Sequence, residues 1–304
     1  MTRRSWSNVV GVLLLDKPSG ISSNAALQRA RRALNAAKAG HTGTLDPLAS
    51  GLLPVCLGEA TKFAQYLLDA HKRYRATVRF GITTDTLDAE GQVVSTRAVA
   101  LDAARIEAAL LTLTGPQMQT PPAHAALKYR GRAYYDYARA GEDIPRAPRA
   151  VEVMRLELLD WRSPDAVLDI ECSKGTYVRV LAAELGERLG CGAHLAALRR
   201  TATGGFSDTR AIALDALEAL PPSGRGAHLL PIDVLIAGLP RLDADAQAAA
   251  GFLHGQPIAA PPRAAGVHAV FGPHGLLGVA DAADGLAQPR RVVAAAPSPD
   301  MQAA

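Results

Sequence analysis

The sequence has little cysteine, few aromatic residues and no long hydrophobic run. Its three cysteines are odd in number and lack CxxC-like spacing, which argues against a disulfide framework or a zinc site and predicts reduced thiols in a cytoplasmic protein. The longest early apolar run, residues 9–15, is broken by Gly11 and runs into Asp16. Because it is too short to cross a bilayer, we expect no transmembrane helix and no membrane partner.

Motifs for common cofactors are also missing. The chain has no P-loop, no GxGxxG after a strand, and no HxE followed by PCxxC, the signature of zinc deaminases. We therefore expect a function that needs no metal, nucleotide or other cofactor. What is present, 304 residues with 48% hydrophobic and 20% charged content, is typical of a globular protein with one large and one small domain.

Positive charge is concentrated in two segments. Residues 1–40 carry seven basic residues against one acidic residue, and residues 121–150 carry six against three. From Gly238 onward the chain is about neutral, with four arginines against five aspartates. Two basic segments on an otherwise balanced chain are what a phosphate-binding surface requires, but charge alone fits two solvated surfaces equally well.

Hydrophobic periodicity and turn signals outline the secondary structure. Predicted strands are residues 11–16, 73–80, 151–161 and 166–172, and predicted helices are residues 22–37, 60–71, 102–113 and 177–189. In 73–80 (RYRATVRF) the alternation is strict and indicates a half-buried strand. Strands in blocks with helices between them predict an α+β fold around a mostly antiparallel mixed sheet.

Residues 120–150 combine proline with basic and aromatic residues. Lys128, Arg130 and Arg132 are interleaved with tyrosines, and cations next to aromatics can contact phosphates and stack on bases. We expect an insertion that binds the phosphate backbone through these three cations. The alternative is a surface hairpin whose tyrosines pack on the body of the protein.

Proline and glycine divide the chain near residue 237. Clusters at 221–224 (PPSG) and 238–240 (GLP) mark the end of a first domain. We predict a large domain over residues 1–237, a small β-rich domain over 238–295, and a disordered tail over 296–304.

One short loop carries the strongest candidate for chemistry. Residues 40–51 read GHTGTLDPLASG, in which three glycines and a proline present one carboxylate, Asp46. Taken alone, an aspartate in such a loop is more often a turn-former than a catalytic group.

This loop and several further segments resemble the TruB family of pseudouridine synthases. The family's loop reads GHTGxLDPxAxG, and the likeness continues in order through residues 11–18, 57–62, 72–74, 83–88, 126–129, 172–179 and 198–200. Chance does not align so many segments in order. The resemblance implies the pseudouridine synthase fold, with a small PUA-like β-barrel at the C-terminal end.

The resemblance also implies catalytic roles. Asp46 would be the nucleophile, with Arg179 as the cation that keeps it ionised, because an arginine holds a carboxylate through two hydrogen bonds and does not lose its proton. Tyr74 would stack on the target base and assist removal of the proton from C5.

Further residues are implied in substrate binding. His41 would occupy the space that the flipped base vacates, with a general base as the alternative role. Lys17, Tyr177 and Leu198 would line the uracil pocket, with plain core as the alternative for Leu198.

The implied activity is isomerisation of the T-loop uridine, position 55 of tRNA, without guide RNA. We also expect a monomer, because the sequence shows no obvious dimer-forming stripe. Two alternatives stay open: an RNA-guided subunit of a ribonucleoprotein, and a tRNA chaperone whose activity does not depend on catalysis. The basic insertion at 120–150 counts against the guided alternative.

Overall fold

A computed structural model describes residues 5–293, so the tail predicted over 296–304 lies outside the described part. The strands are β1 (Gly11–Lys17), β2 (Ala39–His41), β3 (Ser50–Leu57), β4 (Lys72–Phe80), β5 (Ile82–Thr84), β6 (Val93–Thr96), β7 (Gly115–Gln119), β8 (Lys128–Tyr129), β9 (Arg132–Ala133), β10 (Arg149–Arg162), β11 (Asp165–Cys172), β12 (Ala193–Thr203), β13 (Phe206–Ser207), β14 (Ile212–Ala213), β15 (Leu229–Leu230), β16 (Arg241–Asp243), β17 (Ile258–Ala259), β18 (Gly266–Gly272), β19 (Gly275–Ala283) and β20 (Leu286–Val292). The α-helices are α1 (Ser23–Ala33), α2 (Gln65–Leu68), α3 (Ala103–Leu111), α4 (Tyr134–Arg139), α5 (Val178–Arg188), α6 (Leu214–Ala219), α7 (Pro222–Arg225) and α8 (Ala246–Leu253).

An 11-stranded mixed sheet organises most of the chain. Its main path runs β14-β1-β3-β12-β4-β11-β10-β7, and β2, β13 and β15 pair at its side. The pairs β1–β14 and β3–β12 are parallel, and the other pairs are antiparallel. The predicted α+β fold around a mostly antiparallel sheet is confirmed.

Strand β1 is buried on both faces. Leu13 and Leu15 pack with helices α1 and α6, whereas Val12 and Leu14 pack toward the C-terminal part of the chain. A strand covered on both sides reads as a continuous apolar run rather than as an alternation, which explains the GVLLL segment.

Strand β4 lies at the centre of the sheet between β11 and β12. Its burial alternates as predicted: Tyr74, Ala76, Val78 and Phe80 are buried, and the arginines between them are exposed. Lys72, at the start of the strand, also lies on the buried face and is only 6% exposed although it is a cation.

The helix predicted over residues 60–71 is wrong. The segment forms a 3-10 turn at Gly58–Lys62 and then the single helical turn α2. Phe63 closes the 3-10 turn and is fully buried in a core cluster, so tertiary packing at this position overrides the local preference for a helix. Helix α1 also ends at Ala33 instead of Ala37, because Asn35 adopts a left-handed φ of 52°.

The C-terminal residues form a curled half-barrel. Its strand order is β16-β18-β19-β20-β17, and the two end strands are not paired with each other within residues 5–293. Helix α8, which the sequence reading did not predict, places Phe252 in the core of this unit. Ala269 and Val279 of the half-barrel share a second apolar cluster with Val12 of β1, so the unit packs directly on the large sheet.

Gly51, the last residue of the Asp46 loop, lies where β3 and β12 approach each other closely. Its φ is +98°, and an added Cβ would lie 2.3 Å from the carbonyl oxygen of Arg200. Gly115 has a nearly identical φ of +100° with no atom within 4 Å of the added Cβ, so it is the matched control. We expect Gly115→Ala to lose about 1–2 kcal/mol of unfolding free energy through backbone strain alone. We expect Gly51→Ala to lose about 3–4 kcal/mol, because β12 must move.

Urea unfolding of both variants measures the two losses directly. Equal losses would contradict the close approach of β12 to the loop.

Candidate active site

A cleft of about 440 Å³ opens beside the Asp46 loop. Its walls come from this loop, from β4 and β12, from the turn at residues 173–177, and from Ala126 and Leu127 of the 120–150 insertion. Five of the residues that the sequence implicates lie on the wall: Asp46, Tyr74, Tyr177, Arg179 and Leu198. The fold thus brings together residues that are more than 150 positions apart in the chain.

Arg179 lies between two carboxylates at the base of the cleft. Its Nη2 is 3.3 Å from Asp46 Oδ2, and its Nη1 is 3.3 Å from Asp88 Oδ2. The side chains of Arg179 and Asp88 are 5% and 4% exposed, whereas Asp46 is 39% exposed. Nη2 also donates to the carbonyl of His124 at 2.9 Å, which ties the base of the insertion to the same cation. Only Asp46 of this group is open to a ligand.

The position of Asp46 sets its acidity. Burial in the cleft raises the pKa of Asp46 above its ordinary value, and the nearby Asp88 raises it further. Arg179 and Lys17 act in the opposite direction, with the effect of Arg179 the larger. The carboxylate therefore depends on Arg179 for its ionised form.

Asp88 is held in turn by its own loop. Its Oδ1 accepts hydrogen bonds from Thr86 Oγ1 at 2.6 Å and from the backbone N–H of Glu90 at 3.1 Å. These contacts fix the carboxylate that faces Arg179, so Asp88 positions the arginine without reaching the cleft.

The Asp46 loop is fastened from beneath. Ser23 Oγ accepts from the N–H of Leu45 at 2.7 Å and donates to the carbonyl of the same residue at 2.9 Å. Arg200 Nη2 donates to the carbonyl of Gly43 at 3.2 Å, and the N–H of Gly20 donates to the carbonyl of Pro47 at 2.8 Å. The loop is held through its backbone, which leaves the Asp46 side chain free to face the cleft.

Lys17 belongs to this support and not to the pocket wall on which the resemblance placed it. The side chain is fully buried, and its Nζ donates to the carbonyls of Ile21 at 2.6 Å and Pro47 at 3.4 Å. Burial lowers the pKa of Lys17 to about 8, although Asp46 and Glu90 oppose the decrease. Within residues 5–293 the hydrogen bonds of the ammonium all go to backbone carbonyls, so Lys17 stabilises the loop from behind.

Two tyrosines and a leucine give the cleft its apolar surface. Burial raises the pKa of Tyr74, which keeps the phenol neutral, and the positive charge of Arg200 opposes the increase. Tyr177 directly precedes α5, and its backbone N–H donates to Gln119 Oε1 at 2.7 Å. Leu198 comes from β12, where it pairs with Ala76 of β4.

His41 lies at the end of β2, outside the cleft wall. Burial and the charge of Arg200 lower the pKa of its imidazole, which makes the ring a weaker base. Its Nδ1 is buried and forms no hydrogen bond within the described residues.

The insertion is a small folded unit. It contains the β8–β9 hairpin and α4, and Tyr137 donates from its hydroxyl to the carbonyl of Tyr129 at 3.1 Å. Lys128 and Arg130 are exposed. Arg132 differs from them, because its Nη1 is 2.8 Å from Glu142 Oε1 and its guanidinium lies 4.3 Å above the ring of Tyr137. Part of its charge is therefore neutralised within the insertion.

Four residues of the site were not singled out from the sequence: Lys72, Asp88, Gln119 and Arg200. Lys72, Asp88 and Arg200 lie in segments that carry the resemblance, at 72–74, 83–88 and 198–200. The family motif thus marked their positions but did not indicate what each residue does. Gln119 had no signal, because an amide that holds a helix start is recognised only in the folded chain.

Two features are absent from residues 5–293. No helix is long and apolar enough to cross a membrane. No group of three or more His, Cys, Asp or Glu side chains is arranged to hold a metal ion.

Solved structures share this architecture. The chain resembles the crystal structure of an archaeal box H/ACA sRNP Nop10–Cbf5 complex, with a TM-score of 0.72 and 25% identity over 94% of this chain and 86% of that one. An H/ACA RNP bound to a substrate RNA containing 2′-deoxyuridine gives a TM-score of 0.71 at 25% identity, with the same shares of both chains covered. The large mixed sheet and the curled half-barrel are those of a pseudouridine synthase fold.

Sequence comparisons then define the family. A model described as the TruB family pseudouridylate synthase N-terminal domain matches residues 31–178, and one described as the tRNA pseudouridylate synthase B C-terminal domain matches residues 179–236. The chain is 56% identical over 256 residues to tRNA pseudouridine synthase B of Chromobacterium violaceum, covering 84% of each protein. It is 53% identical over 287 residues to that of Thiobacillus denitrificans, covering 94% of this chain and 96% of the relative. The chain belongs to the TruB family of pseudouridylate synthases, which confirms the family read from the sequence.

The opposite pKa directions of two aspartates lead to a stability prediction. The folded pKa of Asp46 is raised above 3.8, so ionising it costs stability as the pH rises through that value and on to the raised pKa. Asp46→Asn removes this cost, and we expect its unfolding free energy to exceed that of the wild type by an amount that grows with pH and then levels off. Urea unfolding between acidic and neutral pH measures the difference.

Asp169→Asn is the matched control. Hydrogen bonds from Arg73 and Arg155 lower the folded pKa of Asp169, so its stabilisation is present above the unfolded pKa and disappears as the pH falls. This variant should be less stable than the wild type at neutral pH and approach it in acid. The same sign for both variants would contradict the assignment of Asp46 as a carboxylate ionised at a cost.

Proposed function

We propose that this protein isomerises the T-loop uridine at position 55 of tRNA to pseudouridine, with Asp46 as the nucleophile. The observation that carries the proposal is the Asp46 carboxylate on the cleft wall, 3.3 Å from the buried Arg179. The curated relatives named tRNA pseudouridine synthase B support tRNA as the substrate. We propose further that the enzyme acts as a cytoplasmic monomer without cofactor or guide RNA.

The reaction needs a carboxylate that can attack and leave again. The N1–C1′ bond breaks, the uracil turns, and a C5–C1′ bond forms while the hydrogen leaves C5 and N1 takes a proton. Asp46 can attack the sugar, attack the base, or stabilise a cationic sugar, and each path uses the same ionised group. The positive guanidinium of Arg179, 3.3 Å from Asp46, favours the ionised carboxylate throughout the cycle.

The apolar residues of the cleft suit a flipped base. A uridine inside a folded RNA must leave its stack to reach a catalytic group. Tyr74 presents a neutral, buried phenol beside Asp46, where it can stack on the uracil, and Tyr177 and Leu198 complete the surface. We assign His41 to the space that the base vacates, because its weakened basicity favours a packing role over that of a general base.

The remaining parts would hold the RNA. We assign residues 1–237 to the catalytic domain, with the 120–150 insertion as its phosphate-binding element. The part from residue 238 onward would act as a PUA-like domain that adds a modest contribution to RNA binding, because it is about neutral in charge.

Tritium release from tRNA labelled with 5-tritiated uridine tests the proposal. Isomerisation must expel the hydrogen from C5, so purified wild-type protein without guide RNA should release about one tritium per tRNA. Asp46→Asn should release none while it still binds tRNA. A transcript with cytidine at position 55 should release none with either protein.

Three outcomes would contradict the proposal. Wild-type protein that acts only with a guide RNA would favour the ribonucleoprotein alternative, for which the likeness to the H/ACA structures is the supporting observation. Release from the cytidine-55 transcript would place the target elsewhere. An Asp46→Asn protein that remains active would show that Asp46 is not the nucleophile.

The exposed cations of the insertion lead to a binding prediction. Lys128→Ala and Arg130→Ala should each weaken tRNA binding and reduce the slope of log K against log salt by roughly 1. Arg132→Ala should have a smaller effect, because Glu142 already neutralises part of its charge. Filter binding over a range of salt concentrations provides the measurement.

Arg162 is the control, since it is an 86% exposed arginine at the far end of β10. Arg162→Ala should leave the affinity and the slope unchanged. A slope that Lys128→Ala and Arg130→Ala do not alter would show that these cations are only a solvated surface.

A further inference from the structure

The cleft wall carries more positive than negative charge. Two of its charged residues are acidic, Asp46 and Asp69. Four are basic: Lys72, Lys174, Arg179 and Arg200. Arg179 is paired with Asp46, and Lys174 is paired with Asp69. Among residues 5–293, no carboxylate forms an ion pair with Lys72 or Arg200. The wall therefore holds two cations without a counter-ion.

Both of these cations are buried, and within residues 5–293 their hydrogen bonds go to backbone carbonyls. Lys72 is 6% exposed, and its Nζ donates to the carbonyls of Leu68 and Ala70, each at 2.6 Å. Arg200 is 1% exposed, and its Nε donates to the carbonyl of Leu52 at 2.7 Å. Burial and the charge of Arg200 lower the pKa of Lys72 to about 8. Buried cations without an anion are costly, so an anion that enters the cleft would be stabilised.

At the mouth of the cleft an exposed ion pair joins Lys174 and Asp69, and Lys174 can exchange this partner for another anion. Lys174 Nζ lies 2.7 Å from Asp69 Oδ1, and their side chains are 62% and 68% exposed. Lys174 belongs to the turn after β11, and Asp69 follows α2, so the pair joins two sides of the opening. The two carbonyls held by Lys72 flank Asp69 in sequence and fix its place. An exposed ion pair contributes little stability, so Lys174 can leave Asp69 at small cost.

We propose, on the basis of the function proposed above, that Lys174 binds a backbone phosphate next to the flipped uridine and that Asp69 holds its ammonium until RNA arrives. Lys174 lines the same cavity as Asp46. The sugar–phosphate backbone of a base bound beside Asp46 therefore lies at the mouth of the cleft, near Lys174. Lys72 and Arg200 supply a fixed positive field behind the phosphate. A cationic groove with an aromatic platform for the base is the usual arrangement for single-stranded nucleic acid, and Tyr74 supplies that platform here.

Neutral phosphates in the RNA test the contact. T-arm stem-loops are made with a methylphosphonate at the phosphate on the 5′ or the 3′ side of the target uridine. Kd is measured by filter binding in the Asp46→Asn background, which prevents turnover. One of the two substitutions should weaken binding roughly tenfold. Lys174→Ala should weaken binding of the unmodified RNA by a similar factor and abolish the effect of that methylphosphonate.

Asp69→Asn separates exchange from a structural role. Removing the competing carboxylate should tighten binding of the unmodified RNA severalfold and retain the methylphosphonate effect. The double variant Asp69→Asn/Lys174→Ala should bind like Lys174→Ala. Arg162→Ala, away from the cleft, should keep the full sensitivity to both substitutions.

Two results would overturn the inference. In the first, Lys174→Ala stays fully sensitive to both methylphosphonates. In the second, Asp69→Asn weakens binding as Lys174→Ala does, which would make the ion pair a structural element of the rim. Tritium release by wild-type protein on the same unmodified stem-loop keeps the two proposals apart. If the wild type releases tritium but Lys174→Ala remains sensitive to both methylphosphonates, only this inference is wrong. If the wild type releases no tritium, the proposed function is wrong.

Discussion

The pairing of one buried arginine with two carboxylates is the interaction on which the rest of the site depends. Arg179 compensates Asp88, which is buried with it, and Asp46, which faces the cleft. Burial alone would favour the protonated form of Asp46, as the direction of its pKa shift shows. The same guanidinium also donates to the carbonyl of His124 and so connects the Asp46 carboxylate to the 120–150 insertion.

Hydrogen bonds from side chains to the backbone, in addition to side-chain packing, hold the loops of the cleft in place. Lys17, Ser23 and Arg200 each hold a carbonyl or N–H of the Asp46 loop from below, and Lys72 does the same for the segment around Asp69. Lys17, Lys72 and Arg200 are cations bonded mainly to neutral carbonyls, so they stiffen the loops without neutralising the cleft. The same residues therefore hold the Asp46 loop in place and give the cleft a positive field, which suits the catalytic and RNA-binding roles proposed above.

How much the sequence could predict depended on the kind of residue. The β4 strand was predictable because its burial alternates with a period of two, and the Asp46 loop because its motif is specific. Asp88 lay in a matching segment, but its ion pair with Arg179 joins positions 91 residues apart and no local pattern encodes it. For Lys17 the matching motif indicated a pocket residue, but a motif gives no sign that the ammonium is buried behind the loop. The prediction of one helix over residues 60–71 failed because the burial of Phe63 between the 3-10 turn and α2 is a tertiary effect that the local sequence does not show.

The most direct test of this account is the pKa of Asp46 itself, measured by NMR titration of ¹³Cγ-labelled aspartate and assigned by comparison with Asp46→Asn. The account predicts a pKa above 3.8 in the wild type and a further increase in Arg179→Gln, with a smaller change in Arg179→Lys, which keeps the charge. An Asp46 pKa that is ordinary in the wild type and unchanged in Arg179→Gln would contradict the central role of the arginine.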